Sequence, residues 1–188
     1  LLVNPTVFFL KFFFKALNYK KFKSPIILIA SLNLLKLQMK KLNIKKNIKL
    51  LNLFKLKKHK LNNKTINLIN INYNQRKPFD KISSKSNQYI EQSFESAIKI
   101  LQKKISNKFI NGPISKKFFL KKKFLGITEY LANKTNTKNF AMLIYNKDLS
   151  VCPITTHLPL KQVTKKINKK LIIQKIKLIN NFFKKYIK

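Results

Sequence analysis

Glycine, cysteine, histidine and acid are all scarce in this 188-residue chain, and each scarcity removes a class of function. The 2 Gly are Gly112 and Gly126, too few for a G-x-G-x-x-G dinucleotide loop. Cys152 is the single cysteine, so an internal disulfide framework and a multi-cysteine zinc knuckle are both excluded. The 2 His, His59 and His157, cannot by themselves build a three-histidine metal site. Against 42 Lys+Arg stand 5 Asp+Glu, a net charge of +37. Long apolar runs are missing too. Val7–Leu17 is interrupted by Lys11 and Lys15, and Pro25–Leu35 falls short of the about 20 apolar residues that a membrane helix needs. No basic stretch leads into an apolar region with a small-residue cleavage site, as a secretory signal requires. The first residue is Leu1 rather than Met, so the start is expected to be incomplete, and the expected compartment is the cytoplasm.

What is abundant is apolar surface and lysine. With 45% hydrophobic and 12% aromatic residues, the chain can bury a sizeable core, as one ordinary domain or a slightly large one. Of the 42 basic residues only Arg76 is arginine. Proteins that grip phosphate and bases favour the bidentate guanidinium fork, which is almost absent here. Lys, Asn, Ile and Phe dominate together and share A/T-rich codons, so much of the charge reads as nucleotide bias at solvated positions. Such a surface still binds polyanions weakly and with steep salt dependence. A basic RNA-binding or ribosome-associated protein is the alternative from a different class, and the charge is its sole support.

The pattern along the chain alternates strands and helices. Asn4-Pro5 reads as a helix opening. Pro25–Ala30 is a short continuous apolar run, the mark of a strand buried on both faces. Ser31 is placed to cap a helix to about Leu42, with Leu34, Leu35 and Met39 at helical spacing. Ile48–Phe54 and Thr65–Ile71 are further strand candidates, with loops over 55–64 and 73–84. Ser86–Ser106 predicts a helix with Ile90, Phe94, Ala97, Ile98, Leu101 and Ile105 on one buried face. Lys108–Ile110 predicts a strand, Thr128–Lys134 a helix, and Phe140–Tyr145 and Ser150–Thr155 two more strands. From Pro159 the pattern is helical, with Ile172, Ile176, Ile179, Phe183 and Tyr186 on one face. The expected class is α/β, with a mixed or parallel sheet and flanking helices. No internal repeat or Gly/Ser linker divides the chain.

Three clusters carry chemistry-bearing residues. Cys152–Leu160 delivers Thr155, Thr156 and His157 to the expected carboxyl end of a strand before a helix, where open α/β sheets hold ligands. Imidazole is a common metal ligand, and a helix-capping or half-buried histidine accounts for the same spacing. Asn111-Gly112-Pro113-Ile114-Ser115-Lys116 offers a Gly turn with Ser115 and Lys116, either an anion site or a plain strand-to-helix turn. In Gly126-Ile127-Thr128-Glu129, Thr128 is placed to cap a helix with Glu129 in its first turn. His59, flanked by lysines, reads as a solvated loop residue and Cys152 as a small buried apolar one. Glu91 and Glu95, four apart on a helix, read as surface pairs with lysine.

Taken in order, Phe109–Lys116, Gly126–Ala132 and Thr155-Thr156-His157-Leu158-Pro159-Leu160-Lys161 resemble the 4-hydroxythreonine-4-phosphate dehydrogenase family of pyridoxal phosphate biosynthesis. The match is dense over 86–167 and loose over the first 80 residues. The resemblance implies a two-domain α/β homodimer, similar to isocitrate and isopropylmalate dehydrogenases, that binds NAD without a glycine-rich loop. It also implies oxidation and decarboxylation of 4-phosphooxy-L-threonine, with NAD and a divalent metal ion (Zn, Mg or Co) as cofactors.

Carried over by position, His157 resembles the first of three metal-binding histidines and Thr128 a substrate contact. Ile127 stands where the family commonly has a substrate-binding histidine, and isoleucine can neither donate a hydrogen bond nor carry a proton. A related substrate, or a degenerate paralogue, is the alternative this departure raises. The family's Gly-Glu-Pro-Ala-Gly-type segment is not recognisable around Asn4-Pro5-Thr6. Residues 1–188 are thus expected to be a partial dehydrogenase-like domain. The family's carboxyl-terminal segment is absent from it, along with the other two metal histidines. Alone it is expected to be inactive.

Overall fold

The computed structural model describes residues 2–3, 9–19, 22–81, 83–121 and 123–187, with the side chains of 2, 3 and 9 left aside. They divide into two units, residues 1–119 and 120–188. The boundary falls inside one helical turn of π type, Lys116–Leu120, which is why no linker marks it in the sequence. Asn4 and Pro5 lie outside the described residues.

The first unit is built on a parallel sheet. Its strands are β1 (Leu2–Val3), β2 (Ile27–Ala30), β3 (Ile48–Leu50), β4 (Ile66–Asn70) and β5 (Ile110–Asn111), in the spatial order β3-β4-β2-β1-β5. Every pairing is parallel, with Leu28 level with Leu2 and Leu68. Helices α1 (Phe9–Tyr19), α2 (Leu32–Lys41) and α3 (Asn87–Gln102) complete the unit. Side chains alternate across a strand, and the core divides accordingly. Leu28, Ala30, Ile66 and Leu68 pack with Leu10, Phe13 and Phe14 of α1 and Leu35 and Met39 of α2. Ile27, Ile29 and Ile69 pack on the opposite face with Ala97 and Ile100 of α3. This explains why β2 is apolar throughout: both of its faces are covered. Burying each Leu or Ile contributes about 1.5–3 kcal/mol.

Ser31 caps α2, as its sequence position predicts, and does more than cap. Its Oγ accepts from Leu34 N (3.3 Å) and donates to the Tyr73 carbonyl (3.0 Å), while its own N–H donates to Tyr89 Oη (3.2 Å). The Tyr73 and Tyr89 rings stack at 4.9 Å. Burial pushes the Tyr89 phenol far above its ordinary pKa, outweighing the hydrogen bonds that favour ionisation. Asn67, buried within β4, donates to the carbonyls of Ile26 (3.0 Å) and Asn62 (2.6 Å), so a polar residue sits in a parallel strand without an idle donor.

Several expectations change. β3 ends at Leu50 rather than Phe54, because Asn52 Oδ1 accepts from Phe54 N (2.9 Å) and turns the chain into a 3-10 helix, Leu53–Lys58. That helix occupies part of the expected 55–64 loop. His59 is not a free solvated residue: its Nε2 accepts from Asn52 N (3.2 Å). Helix α3 stops at Gln102, and Lys104 enters the left-handed region just beyond it. Its buried face also takes in Tyr89, Ser93 and Ile100, while Leu101 is only half-buried.

The second unit holds α4 (Ile127–Lys134), α5 (Leu160–Lys166) and α6 (Lys169–Tyr186). The expected strands at 140–145 and 150–155 reduce to one antiparallel bridge, Ile144 with Val151. The two residues of the bridge itself are exposed, Ile144 at 55% and Val151 at 49%, so little apolar burial supports a longer ladder. Pro153 also has no N–H to continue one. Cys152 is therefore half-buried and not part of a strand. The carboxyl-terminal helix is broken at Ile167–Asn168, where Asn168 Oδ1 accepts from Leu171 N (2.9 Å) and caps α6. On α6, Ile172, Ile179 and Phe183 are half-buried, but Ile176 (59%) and Tyr186 (48%) are exposed, contrary to expectation. Among the described residues, no helix is long and apolar enough to cross a membrane.

Candidate functional site

Two of the three sequence clusters, Gly126–Glu129 and Thr155–His157, lie in the second unit and meet there. Helix α4 begins at Ile127 with Gly126 as its N-cap residue, so Thr128 is not the cap; it sits inside the first turn. That register places Ile127, Thr128 and Glu129 half-buried at the start of α4. The Thr156 hydroxyl donates to Glu129 Oε1 at 3.1 Å and ties the two segments together. The second carboxylate oxygen, Oε2, is buried with no hydrogen-bond partner.

His157 follows at once, exposed and with φ of 57°. The left-handed region is costly for a residue with a Cβ, and such positions gather at functional sites. His157 does not end a strand, as the sequence suggested, and Pro159 rather than His157 precedes α5. Gly126 shows how closely the parts approach. A Cβ built there falls 2.8 Å from Glu129 Oε2 and 3.3 Å from His157 Nε2. The carboxylate oxygen and the imidazole nitrogen thus lie within about 6 Å of each other, both close to Gly126.

Thr128, Glu129, Met142, Thr156, His157 and Lys175 line a cavity of about 30 Å³, the size of a water or a small ion. The Lys175 ammonium donates to the Phe140 carbonyl and lies 5.2 Å from the centre of the Phe140 ring. Chemically the pocket offers a carboxylate, an imidazole, two hydroxyls and an ammonium. A buried carboxylate oxygen beside an imidazole nitrogen suits a cation. Among the described residues, however, no three carboxylate, imidazole or thiol side chains gather to hold a metal ion.

The third cluster belongs to the first unit. Gly112 is buried, Ser115 Oγ accepts from Phe118 N (3.3 Å), and Lys116 is exposed. Sequence reasoning placed Thr156 beside His157 at a ligand-holding end, but treated Glu129 only as a first-turn acid and passed over Lys175 as a pocket residue. One signal was available: Glu129 is one of 5 acids and has no lysine within four residues on either side.

A profile of the family described as "Pyridoxal phosphate biosynthetic protein PdxA" matches residues 21–188. The 4-hydroxythreonine-4-phosphate dehydrogenase of Sulfurihydrogenibium sp. is 42% identical over 92 residues, 48% of this chain and 29% of that protein. The enzyme of the same name from Hydrogenobaculum sp. is 45% identical over 83 residues, 43% of this chain and 26% of its own length. Among solved structures, a putative 4-hydroxythreonine-4-phosphate dehydrogenase from Salmonella typhimurium superposes with a TM-score of 0.77 at 18% identity, covering 97% of this chain and 58% of that one. One from Burkholderia phymatum gives 0.74 at 17%, covering 94% and 55%. The matches to these two curated relatives span less than a third of either protein's length.

Proposed function

The chain belongs to the pyridoxal phosphate biosynthetic protein PdxA family, and from that membership we propose that it carries part of the site for NAD-dependent oxidation and decarboxylation of 4-phosphooxy-L-threonine. The observation that supports this reading best is the meeting of Gly126–Glu129 with Thr156 and His157 around one small cavity. In this reading His157 is one ligand of a divalent metal ion (Zn, Mg or Co), and the Thr128 hydroxyl contacts substrate. When bound, the metal would supply Lewis acidity at the substrate hydroxyl and NAD would accept the hydride. Thr156 holds the Glu129 carboxylate in place through its hydroxyl. At the Gly112–Ser115 turn, Ser115 Oγ accepts from Phe118 N, and its O–H and the exposed Lys116 ammonium are the donors for an anion.

Ile127 favours a second reading of the substrate. Half-buried beside Thr128, it offers no hydrogen bond. A related phosphorylated hydroxy acid that lacks the matching polar group would leave nothing unpaired there. Homodimer assembly is also part of the proposal, and the exposed Ile176 and Phe182 of α6 supply apolar surface for it.

The test is an amide NMR titration of the chain with 4-phosphooxy-L-threonine in the presence of Zn²⁺. Saturable shifts confined to 126–130 and 155–158 are expected. Shifts scattered over the lysine surface that vanish in 0.3 M salt would contradict the reading, because they report phosphate binding by charge alone.

A further inference from the structure

We infer that a cavity of about 530 Å³ in the first unit binds a phosphate monoester borne on a hydroxylated chain or ring. The inference is independent of the dehydrogenase reading, whose metal and substrate residues, His157 and Thr128, lie in the second unit. The cavity lies where the topology of the sheet places a crevice. β2 and β4 are neighbours, yet the chain leaves them towards opposite faces. β2 leads into α2, which packs with Leu28 and Leu68, and β4 leads towards α3, which packs with Ile27, Ile29 and Ile69. Ligands of open parallel sheets settle at such a reversal, beyond the strand carboxyl ends. Asn70, the last residue of β4, lines the cavity. Ser31, which follows β2, bonds to two more lining residues, Tyr73 and Tyr89.

The lining supplies amides, one cation and no carboxylate. Asn70, Asn72, Gln88 and Gln92 bring carboxamides, and Lys85 brings an ammonium. Asn70 holds the wall: its Oδ1 accepts from Leu32 N (2.8 Å) and its Nδ2 donates to Asn72 Oδ1 (2.9 Å). That arrangement leaves Asn72 its own Nδ2 donors. Gln88 and Gln92, four apart on α3, are neighbours on one helix face and offer both donors and acceptors, as hydroxyl groups require. An apolar ligand would strip water from these amides and return no hydrogen bond, whereas a hydroxylated one replaces what it displaces. A volume of about 530 Å³ also falls in the about 300–1,000 Å³ range of small-molecule sites.

Lys85 sets the charge of the ligand. It sits in the 3-10 turn Ser84–Ser86, just before α3. The Ser86 hydroxyl does not cap that helix but donates to the Ser83 carbonyl (3.1 Å). The ammonium and the positive end of α3 thus border one cavity, and together they favour a phosphate dianion. An amino-acid phosphate such as 4-phosphooxy-L-threonine fits less well, because no carboxylate lines the cavity to meet its ammonium.

The experiment is an amide NMR titration of the 188-residue chain in 0.15 M salt, with ribose 5-phosphate, ribose and inorganic phosphate as probes. Ribose 5-phosphate should give saturable shifts at 70–73 and 85–92. It should bind at least tenfold more tightly than ribose or phosphate alone. Lys85→Gln should weaken it about tenfold and Gln88→Ala about fivefold, the effects of one charge-assisted and one neutral hydrogen bond. Both side chains are exposed, so neither substitution threatens the fold. Lys57→Gln, at an exposed lysine outside the cavity, should change nothing. Equal affinity for ribose 5-phosphate and inorganic phosphate would overturn the proposal, because it reports charge alone. Equal losses from Lys57→Gln and Lys85→Gln, or the absence of saturable shifts at 70–73 and 85–92, would overturn it too. Either failure leaves the signals at 126–130 and 155–158, and the dehydrogenase reading, untouched.

Discussion

Replacing Ser31 by alanine removes one hydroxyl from the point where β2, α2 and the loop at Tyr73 join. The wild-type hydroxyl caps α2 by accepting from Leu34 N and donates to the Tyr73 carbonyl. Loss of an N-cap serine costs about 1 kcal/mol. Loss of the second hydrogen bond, leaving a carbonyl short of a donor, costs about 1 kcal/mol more. The Ser31 N–H keeps its bond to Tyr89 Oη, so no further term enters. The sum is about 2 kcal/mol. At about 2.1 cal/mol/K of unfolding entropy per residue, a unit of 119 residues should lose about 8 °C in Tm. The urea midpoint should fall by about 1–1.5 M with an unchanged slope. Circular dichroism against temperature and urea measures both, with Ser31→Thr as the control that keeps a hydroxyl. A loss below about 0.5 kcal/mol for Ser31→Ala, or an equal loss for Ser31→Thr, is incompatible with a hydroxyl that bonds twice.

Tyr89 gives a pH-dependent counterpart. Its pKa is raised on folding from the ordinary 10.0, chiefly by burial. The neutral phenol's contribution is therefore complete below about pH 10 and is lost as pH climbs from there towards the folded pKa. The stability difference between wild type and Tyr89→Phe should shrink by about 1.4 kcal/mol per pH unit above about pH 10. The titrating lysines are common to both proteins and cancel in that difference. Ile127→His should tighten binding of 4-phosphooxy-L-threonine about tenfold in the same NMR titration, the effect of one regained hydrogen bond. No change there would remove Ile127 from the substrate's surroundings. Binding to single-stranded RNA should be weak, indifferent to sequence, and reduced at least a hundredfold between 50 and 200 mM salt, as measured by fluorescence anisotropy. Tight, sequence-selective binding at 200 mM would favour the RNA-binding alternative.

The sequence discloses structure where one physical cause acts alone. β2 is legible at Ile27–Ala30 because a strand covered on both faces must be apolar throughout, and Ser31 is legible as a cap because its geometry is local. Expectations fail where a neighbour decides. Phe140–Tyr145 has the composition of a strand, yet only the Ile144–Val151 bridge forms, between two exposed side chains. Ile176 keeps the helical spacing of a buried face but is 59% exposed, since spacing marks a stripe and not what covers it. The break at Asn168 was readable as a cap within the final lysine-rich helix, and the long helical pattern masked it.

The candidate site divides in the same way. His157 and Thr128 come from motifs that stand in the chain in order. The Glu129–Thr156 bond spans 27 residues, and the approach of both segments to Gly126 is a tertiary fact that no local pattern encodes.

The most direct test of the central claim is to place residues 86–167 of this chain in the Sulfurihydrogenibium enzyme, in exchange for its matching segment. NADH formation from 4-phosphooxy-L-threonine is then followed with and without His157→Ala. The chimera should be active and should lose at least a hundredfold in kcat/KM on that substitution, the scale of a lost metal ligand. A folded chimera that makes no NADH, or one indifferent to His157→Ala, would contradict the claim.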